Sequence, residues 1–323
     1  MGVTWILKTH SDPLAAIRQF LWLVWERAGL DGMILPVYQP GDQQAAPGII
    51  DQPDLLAVAD PFIPLVPVNT SRLVAQMAQK SPQARYGALL RSCEARALMY
   101  VVERDGLNLD EWLIIGVDCL SSFSPEDYLW RVEKAGGAEQ LTREALRFAR
   151  QGGIAPYRYR AACQMCESPF ASQVDINLEV LGLPAREFVM VSARDNTLSE
   201  RLGLKDFTDG LAPEFLITQR QRLADQISER HAATRQESVQ SIPSGVPVEP
   251  DVFLSYVSGC APCQSCLEVC PVYAGELVAY SDGFPAQAMV WLESCVQCGM
   301  CEQACPRHLP LTAVHANLCA ELV

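Results

Sequence analysis

Apolar positions in the first two thirds of the chain follow two rhythms. Three short runs, GMILPV at Gly32–Val37, WLIIGV at Trp112–Val117 and EFVMV at Glu187–Val191, are bounded by Gly, Pro or Asp and predict strands. Helical patterns lie between them. Pro13–Ala28 reads as an amphipathic or buried helix, since Arg18, Glu26 and Arg27 interrupt its apolar stretch. Ser124 before Pro125, Glu126 and Asp127 predicts another helix start: a hydroxyl to accept from an orphan amide, a ring suited to the first turn, and acids at the positive dipole end. Gly136-Gly137 breaks that pattern before a second helix through Leu141–Gln151. A long polar-faced helix follows from about Pro213 to Gln236, with Phe215, Leu216, Leu223 and Ile227 as its apolar spots. Residues 1–236 are therefore expected to form an α/β or α+β domain, with the order of its strands left open.

The pattern then changes. Residues 237–250, ESVQSIPSGVPVEP, hold three prolines and read as an extended linker. Residues 251–323 carry seven acids against one base, Arg307, and nine of the chain's 13 cysteines. A unit of about 70 residues has too little core to be stable without a covalent or metal staple. Length agrees with two domains, since 323 residues is about twice the common domain size of roughly 150. The net charge of −13 repels phosphate backbones and anionic lipid heads, which argues against nucleic acid or a membrane surface as partner. The amino terminus lacks a basic export signal, and no run reaches the roughly 18 apolar residues of a spanning helix. A cytoplasmic location is expected, where clustered cysteines bind metal more often than they form disulfides.

The cysteines carry the chemistry. Cys260-x2-Cys263-x2-Cys266-x3-Cys270-Pro271 is repeated as Cys295-x2-Cys298-x2-Cys301-x3-Cys305-Pro306, with 24 residues between the runs. Three cysteines at this spacing let one loop present three thiolates to a cubane, while the fourth, before Pro, ligates the cluster of the other run. The expected sets are Cys260, Cys263, Cys266 and Cys305 for one [4Fe-4S] cluster, and Cys295, Cys298, Cys301 and Cys270 for a second. Zinc is the competing metal, because CxxC pairs also serve zinc ribbons. Of the remaining five cysteines, Cys93, Cys119, Cys163 and Cys166 could converge on a third metal or serve as small buried residues around one CxxC. Cys319, among Leu311, Val314, Leu318 and Leu322 at helical spacing, reads as a buried small residue.

Two resemblances extend this reading. The stretch from Cys260 to about Leu318, including CPRHLPL, resembles the helical dicluster ferredoxin domains of heterodisulfide-reductase and lactate-utilisation iron–sulfur subunits. A β-hairpin ferredoxin of the bacterial type is the alternative. LLRSCEARAL, IGVDCLSSFSPEDY and CQMC-x8-DINLEVLG look like the beta-subunit family of coenzyme F420-reducing hydrogenases and related formate dehydrogenases, over about residues 12–236. That resemblance implies a flavoprotein with one [4Fe-4S] cluster beside the flavin, and hence Cys93, Cys119, Cys163 and Cys166 as ligands of a third cluster. The sequence departs from the family at Ser92, where members commonly carry Pro.

No GxGxxG fingerprint occurs, so the FAD that the resemblance implies has no dinucleotide motif behind it. Arg91, Glu94 and Arg96 near Cys93, with Asn69 in Pro67–Arg72, have polar groups suited to a phosphate or isoalloxazine; an internal salt bridge is the bland alternative. The four histidines show no metal spacing, though His308, three residues after Cys305, could tune a potential. Trp22, Trp25, Trp112, Trp130 and Trp291 read as core or partner contacts.

The expected function is an iron–sulfur, flavin-containing electron-transfer subunit of an anaerobic oxidoreductase. Its catalytic partner would be of formate dehydrogenase, hydrogenase or heterodisulfide-reductase type. The alternative is a flavin-free wiring and docking adaptor without a catalytic site.

Overall fold

The computed structural model describes residues 2–39, 41–151, 159–258, 260, 263–273 and 290–322. Seven strands form one sheet: β1 (Val3–Lys8), β2 (Gly32–Tyr38), β3 (Ala45–Ile50), β4 (Tyr86–Arg91), β5 (Leu113–Val117), β6 (Ile176–Glu179) and β7 (Phe188–Ala193). Their order is β1-β7-β6-β5-β4-β2-β3. β2, β4, β5 and β6 run parallel, and the outer pairs β2·β3, β6·β7 and β7·β1 are antiparallel.

Residue alternation along the central strands explains why they read as continuous apolar runs. Ile34, Ala88, Leu90 and Ile114 point to one face, beneath α2 (Thr70–Lys80) and α3 (Ser92–Asp105). Leu35, Leu89, Ile115 and Val117 point to the other, where α1 (Pro13–Ala28) packs Leu14, Ile17, Phe20 and Leu21. Both faces are covered, so no polar alternation survives. The three predicted strands are β2, β5 and β7. β1 escaped detection because it is a half-buried edge, and β4 and β6 because one carries a glycine and the other is only four residues long.

The helix ends follow the local chemistry. Asp12 accepts from the Ala15 amide at 3.1 Å to start α1, and Gly29 closes it in the left-handed region at φ 61. Ser124 Oγ accepts from the Asp127 amide at 3.2 Å to start α4 (Pro125–Ala135), as predicted, and α5 spans Ala138–Arg147. After α6 (Ala161–Gln164) and α7 (Asn196–Leu202), the long α8 spans Glu214–Gln240.

The stretch 237–250 is therefore not an extended linker throughout. Its first four residues continue α8, and Ile242 and Val246 pack on the core of the cysteine-rich region. That region is built of short helices: α9 (Pro250–Ser258), α10 (Ser265–Glu268), α11 (Met300–Ala304) and α12 (Leu311–Leu322). Among the described residues no strand lies beyond β7, and the short helices agree with a mainly helical ferredoxin-type unit. Among the described residues, too, no helix is long and apolar enough to cross a membrane.

The two regions meet along α3. Ala97 and Tyr100 of that helix join the core formed by Phe253, Leu267, Trp291, Leu309 and Val314. Arginines cross the seam to backbone carbonyls: Arg72 donates to Glu268 at 2.8 Å, Arg96 to Val296 at 3.1 Å, and Arg104 to Val272. Part of the acidic region is thus faced by basic residues of its own chain.

Candidate metal centres

The first cysteine group sits at the carboxyl ends of neighbouring parallel strands. β4 ends at Arg91 and passes into α3, whose second residue is Cys93; β5 ends at Val117, two residues before Cys119. This edge is where open α/β sheets collect ligands. Cys163 lies in α6 and Cys166 just after it. The loop that follows is pinned by Ser92, whose Oγ donates to the Ser168 carbonyl and accepts from Arg96 at 2.6 Å. Ser92 thus does by hydrogen bonding what a ring would do by stiffness.

The four thiols feel one another. Burial pushes Cys93 up to about 12, with added repulsion from Glu94, Cys166 and Cys163. Burial also raises Cys119 and Cys166, each of which feels Cys163. Cys163 goes the other way: burial is outweighed by Arg160 and by the Ser122 hydroxyl, 3.4 Å from its sulfur. Thiols held this high are neutral at pH 7, and a coordinated cation is what removes their protons.

The second group is more enclosed. Cys270, Cys295, Cys298 and Cys301 line one cavity, together with Trp291 and His315. Burial raises Cys295 to about 12 and lifts Cys298 and Cys301 well above the ordinary thiol value. Two ring nitrogens reach this set: Trp291 Nε1 donates to Cys270 Sγ at 3.3 Å, and His315 Nδ1 lies 3.3 Å from Cys295 Sγ. His315 is almost fully buried, between the Trp291 and Phe253 rings, and burial lowers it to about 4, so it is neutral at pH 7. A neutral imidazole with Nδ1–H toward sulfur leaves Nε2 as an acceptor, and among the described residues Nε2 is buried without a partner.

The third group lies nearest solvent. Cys266 is pushed up to about 11 by burial, with Cys305, Cys260 and Cys263 adding to it. Cys263 is exposed, and Arg307 donates to Cys260 Sγ at 3.2 Å. The three groups also form a series: Cys298 of the enclosed set feels Cys93, and Cys301 of that set feels Cys266. Cys319 borders the enclosed set, close enough for Cys295 to feel it, with its sulfur donating to the Leu292 carbonyl at 3.3 Å.

The residues expected to meet flavin make bonds within the protein. Arg91 donates to the carbonyls of Leu65, at 3.0 Å, and of Ile63. Glu94 accepts from the Thr70 amide at 2.9 Å, the Thr70 hydroxyl at 2.6 Å and the Arg91 amide at 2.9 Å. Asn69 caps α2 through the Ser71 amide, and Arg96 is shared between Ser92 and Val296. They tie the 63–72 loop to the start of α3, and Asn69 Nδ2 is buried with no partner among the described residues. His308 is exposed, whereas His315, Trp291, Arg160 and Arg307 each reach a thiol. Spacing could not single these out, because they reach sulfur across tertiary contacts.

Comparison with known proteins adds two findings. Residues 288–308, which hold Cys295, Cys298, Cys301 and Cys305, match the 4Fe-4S binding domain family (Fer4). The fold is similar to that of a chain in a solved structure of the F420-reducing [NiFe] hydrogenase complex from Methanosarcina barkeri. The TM-score is 0.50 at 13% identity, covering 74% of this chain and 92% of that one. At such identity the likeness is one of fold. The chain therefore joins an α/β domain of that architecture to a 4Fe-4S binding region.

Proposed function

We propose that the protein is an iron–sulfur electron-transfer subunit of a multi-subunit oxidoreductase, holding three [4Fe-4S] clusters. The observation that carries this reading is the cavity lined by Cys270, Cys295, Cys298 and Cys301, within and beside the matched 4Fe-4S segment. One thiol from the first run and three from the second meet there, as crossed ligation between paired runs requires. The remaining sets follow as Cys260, Cys263, Cys266 and Cys305, and as Cys93, Cys119, Cys163 and Cys166. A [4Fe-4S] cluster supplies one-electron carriage, with a potential set by hydrogen bonds to its sulfurs, by net charge and by exposure.

The chain's own residues do the rest. Trp291 and His315 direct N–H groups at the enclosed set and exclude water from it. Arg307 serves the exposed set, which suits exchange with a partner at the surface. A catalytic partner of hydrogenase, formate dehydrogenase or heterodisulfide-reductase type is supported by the fold likeness to a chain of a hydrogenase complex.

A flavin-free wiring adaptor is the second reading, favoured by the internal engagement of Arg91, Glu94 and Asn69. Iron and sulfide analysis of anaerobically purified protein should give about twelve irons per chain. A value near about eight would remove the N-terminal cluster, and zinc in its place would make those four thiols structural. Flavin fluorescence after acid extraction would sink the adaptor reading.

A further inference from the structure

Arg160 occupies the seam between the N-terminal and enclosed thiol sets. Its amide donates to the Ser122 carbonyl at 2.9 Å, and its own carbonyl accepts from the Cys163 amide at 2.9 Å, which fixes its backbone against the first set. The side chain then crosses over. Nη1 donates to Gln303 Oε1 at 2.8 Å; Nη2 lies 3.7 Å from Cys163 Sγ and 3.4 Å from the Cys298 carbonyl. Its Nε–H is buried with no acceptor among the described residues.

We infer that Arg160 is a positioning cation shared by the two sets, holding them together and favouring the reduced state of the N-terminal set over that of its neighbour. The inference rests on the reading that both sets hold [4Fe-4S] clusters. Four thiolates make each such centre net negative, and more so when reduced. Two of them side by side repel, and a fixed guanidinium between them offsets that repulsion. The Arg160 guanidinium, which also lies 3.7 Å from Met300 Sδ, reaches the Cys163 thiol directly and meets the enclosed set through the Cys298 carbonyl, so the larger stabilisation falls on the N-terminal set. Arginine suits the task because it keeps its proton and spreads it over a planar fork.

The test is a potentiometric titration of the full chain followed by EPR, in wild type, Arg160→Gln, Arg160→Lys and Gln303→Ala. In Arg160→Gln the N-terminal centre should become harder to reduce by about tenfold, which is about 59 mV for one electron. The enclosed centre should shift less in the same direction, and the Cys260 centre not at all. Arg160→Lys should restore most of the shift, and Gln303→Ala, which frees the guanidinium at one end, should show a smaller version of it. Unchanged potentials at full iron content would overturn the inference, as would Lys behaving like Gln or an equal shift at all three centres. If Arg160→Gln loses iron, Gln303→Ala decides: a lowered N-terminal potential supports the inference and an unchanged one defeats it. Wild-type protein with only about eight irons fails differently, because it removes the three-centre reading itself and the inference with it.

Discussion

Between β1 and β7 the chain buries both faces of a sheet, and Leu14, Ile17, Leu35 and Ile115 lie wholly out of water. Beyond Pro250 the apolar core includes Cys305, with Cys266, Cys270 and Cys301 packed against it. The sheet region is held by apolar burial over many residues, which needs nothing from outside. The cysteine-rich region has a small core and places its metal-binding groups inside it. Its stability is therefore tied to what the thiols bind, since metal binding to a site absent from the unfolded chain is folding free energy.

The sharpest way to break this contrast is to remove iron. Anaerobic chelation should abolish hydrogen-exchange protection in α9–α12 while β2, β4 and β5 stay protected. Cys305→Ala should lose most of one cluster, about four irons, and loosen the same helices. Cys319→Ala should keep full iron, because that thiol bonds to the Leu292 carbonyl and one buried sulfur costs on the order of 1 kcal/mol. Equal iron loss in both variants would refute the assignment of the thirteen cysteines.

The next test lies at the start of α3. Glu94→Ala leaves the Thr70 amide and hydroxyl and the Arg91 amide without their acceptor, at a cost of about 3 kcal/mol. Since Glu94 orders the turn that carries Cys93, the variant should also lose iron from the N-terminal set. Destabilisation with all iron retained would show the turn to be held by packing alone.

Gly299 sits at φ 70, and an added Cβ would come within 2.3 Å of Ala162 Cβ on α6. Gly299→Ala should therefore cost about 2 kcal/mol and push the enclosed set away from the N-terminal one. Weaker magnetic coupling between the two centres at unchanged iron content would register the displacement.

The smallest effect belongs to the sheet region alone. Burial holds Asp60 above the ordinary carboxylate value of 3.8, against lowering by hydrogen bonds from Thr142, Tyr38 and Phe62. The folded protein thus keeps a proton that the unfolded chain has lost. Stability should fall as pH rises from 3.8 through the raised value, by about 1.4 kcal/mol per pH unit in that window. Asp60→Asn should flatten the fall without touching iron. A slope identical to wild type in urea titrations across that range would assign the pH dependence elsewhere.

Local chemistry was legible from the chain alone. The doubled C-x2-C-x2-C-x3-C-P runs, the Ser124 start of α4 and the apolar runs of β2, β5 and β7 depend on residues a few positions apart, whose geometry the backbone sets without help. The role of the 237–250 stretch was not, because three prolines do not reveal that Ile242 and Val246 find a core to pack on. Nor was the use of Arg91, Glu94 and Asn69. The same polar groups suit a cofactor or a buried loop lock, and only the tertiary structure reveals the bonds that tie the 63–72 loop to α3. The tertiary structure alone brings Cys93 and Cys119 to adjacent strand ends, Arg160 across to Cys298, and His315 to Cys295. These pairs are separated by 20 or more residues, so their meeting depends on strand order and on how α3 seats the second region, and no spacing rule along the chain encodes either.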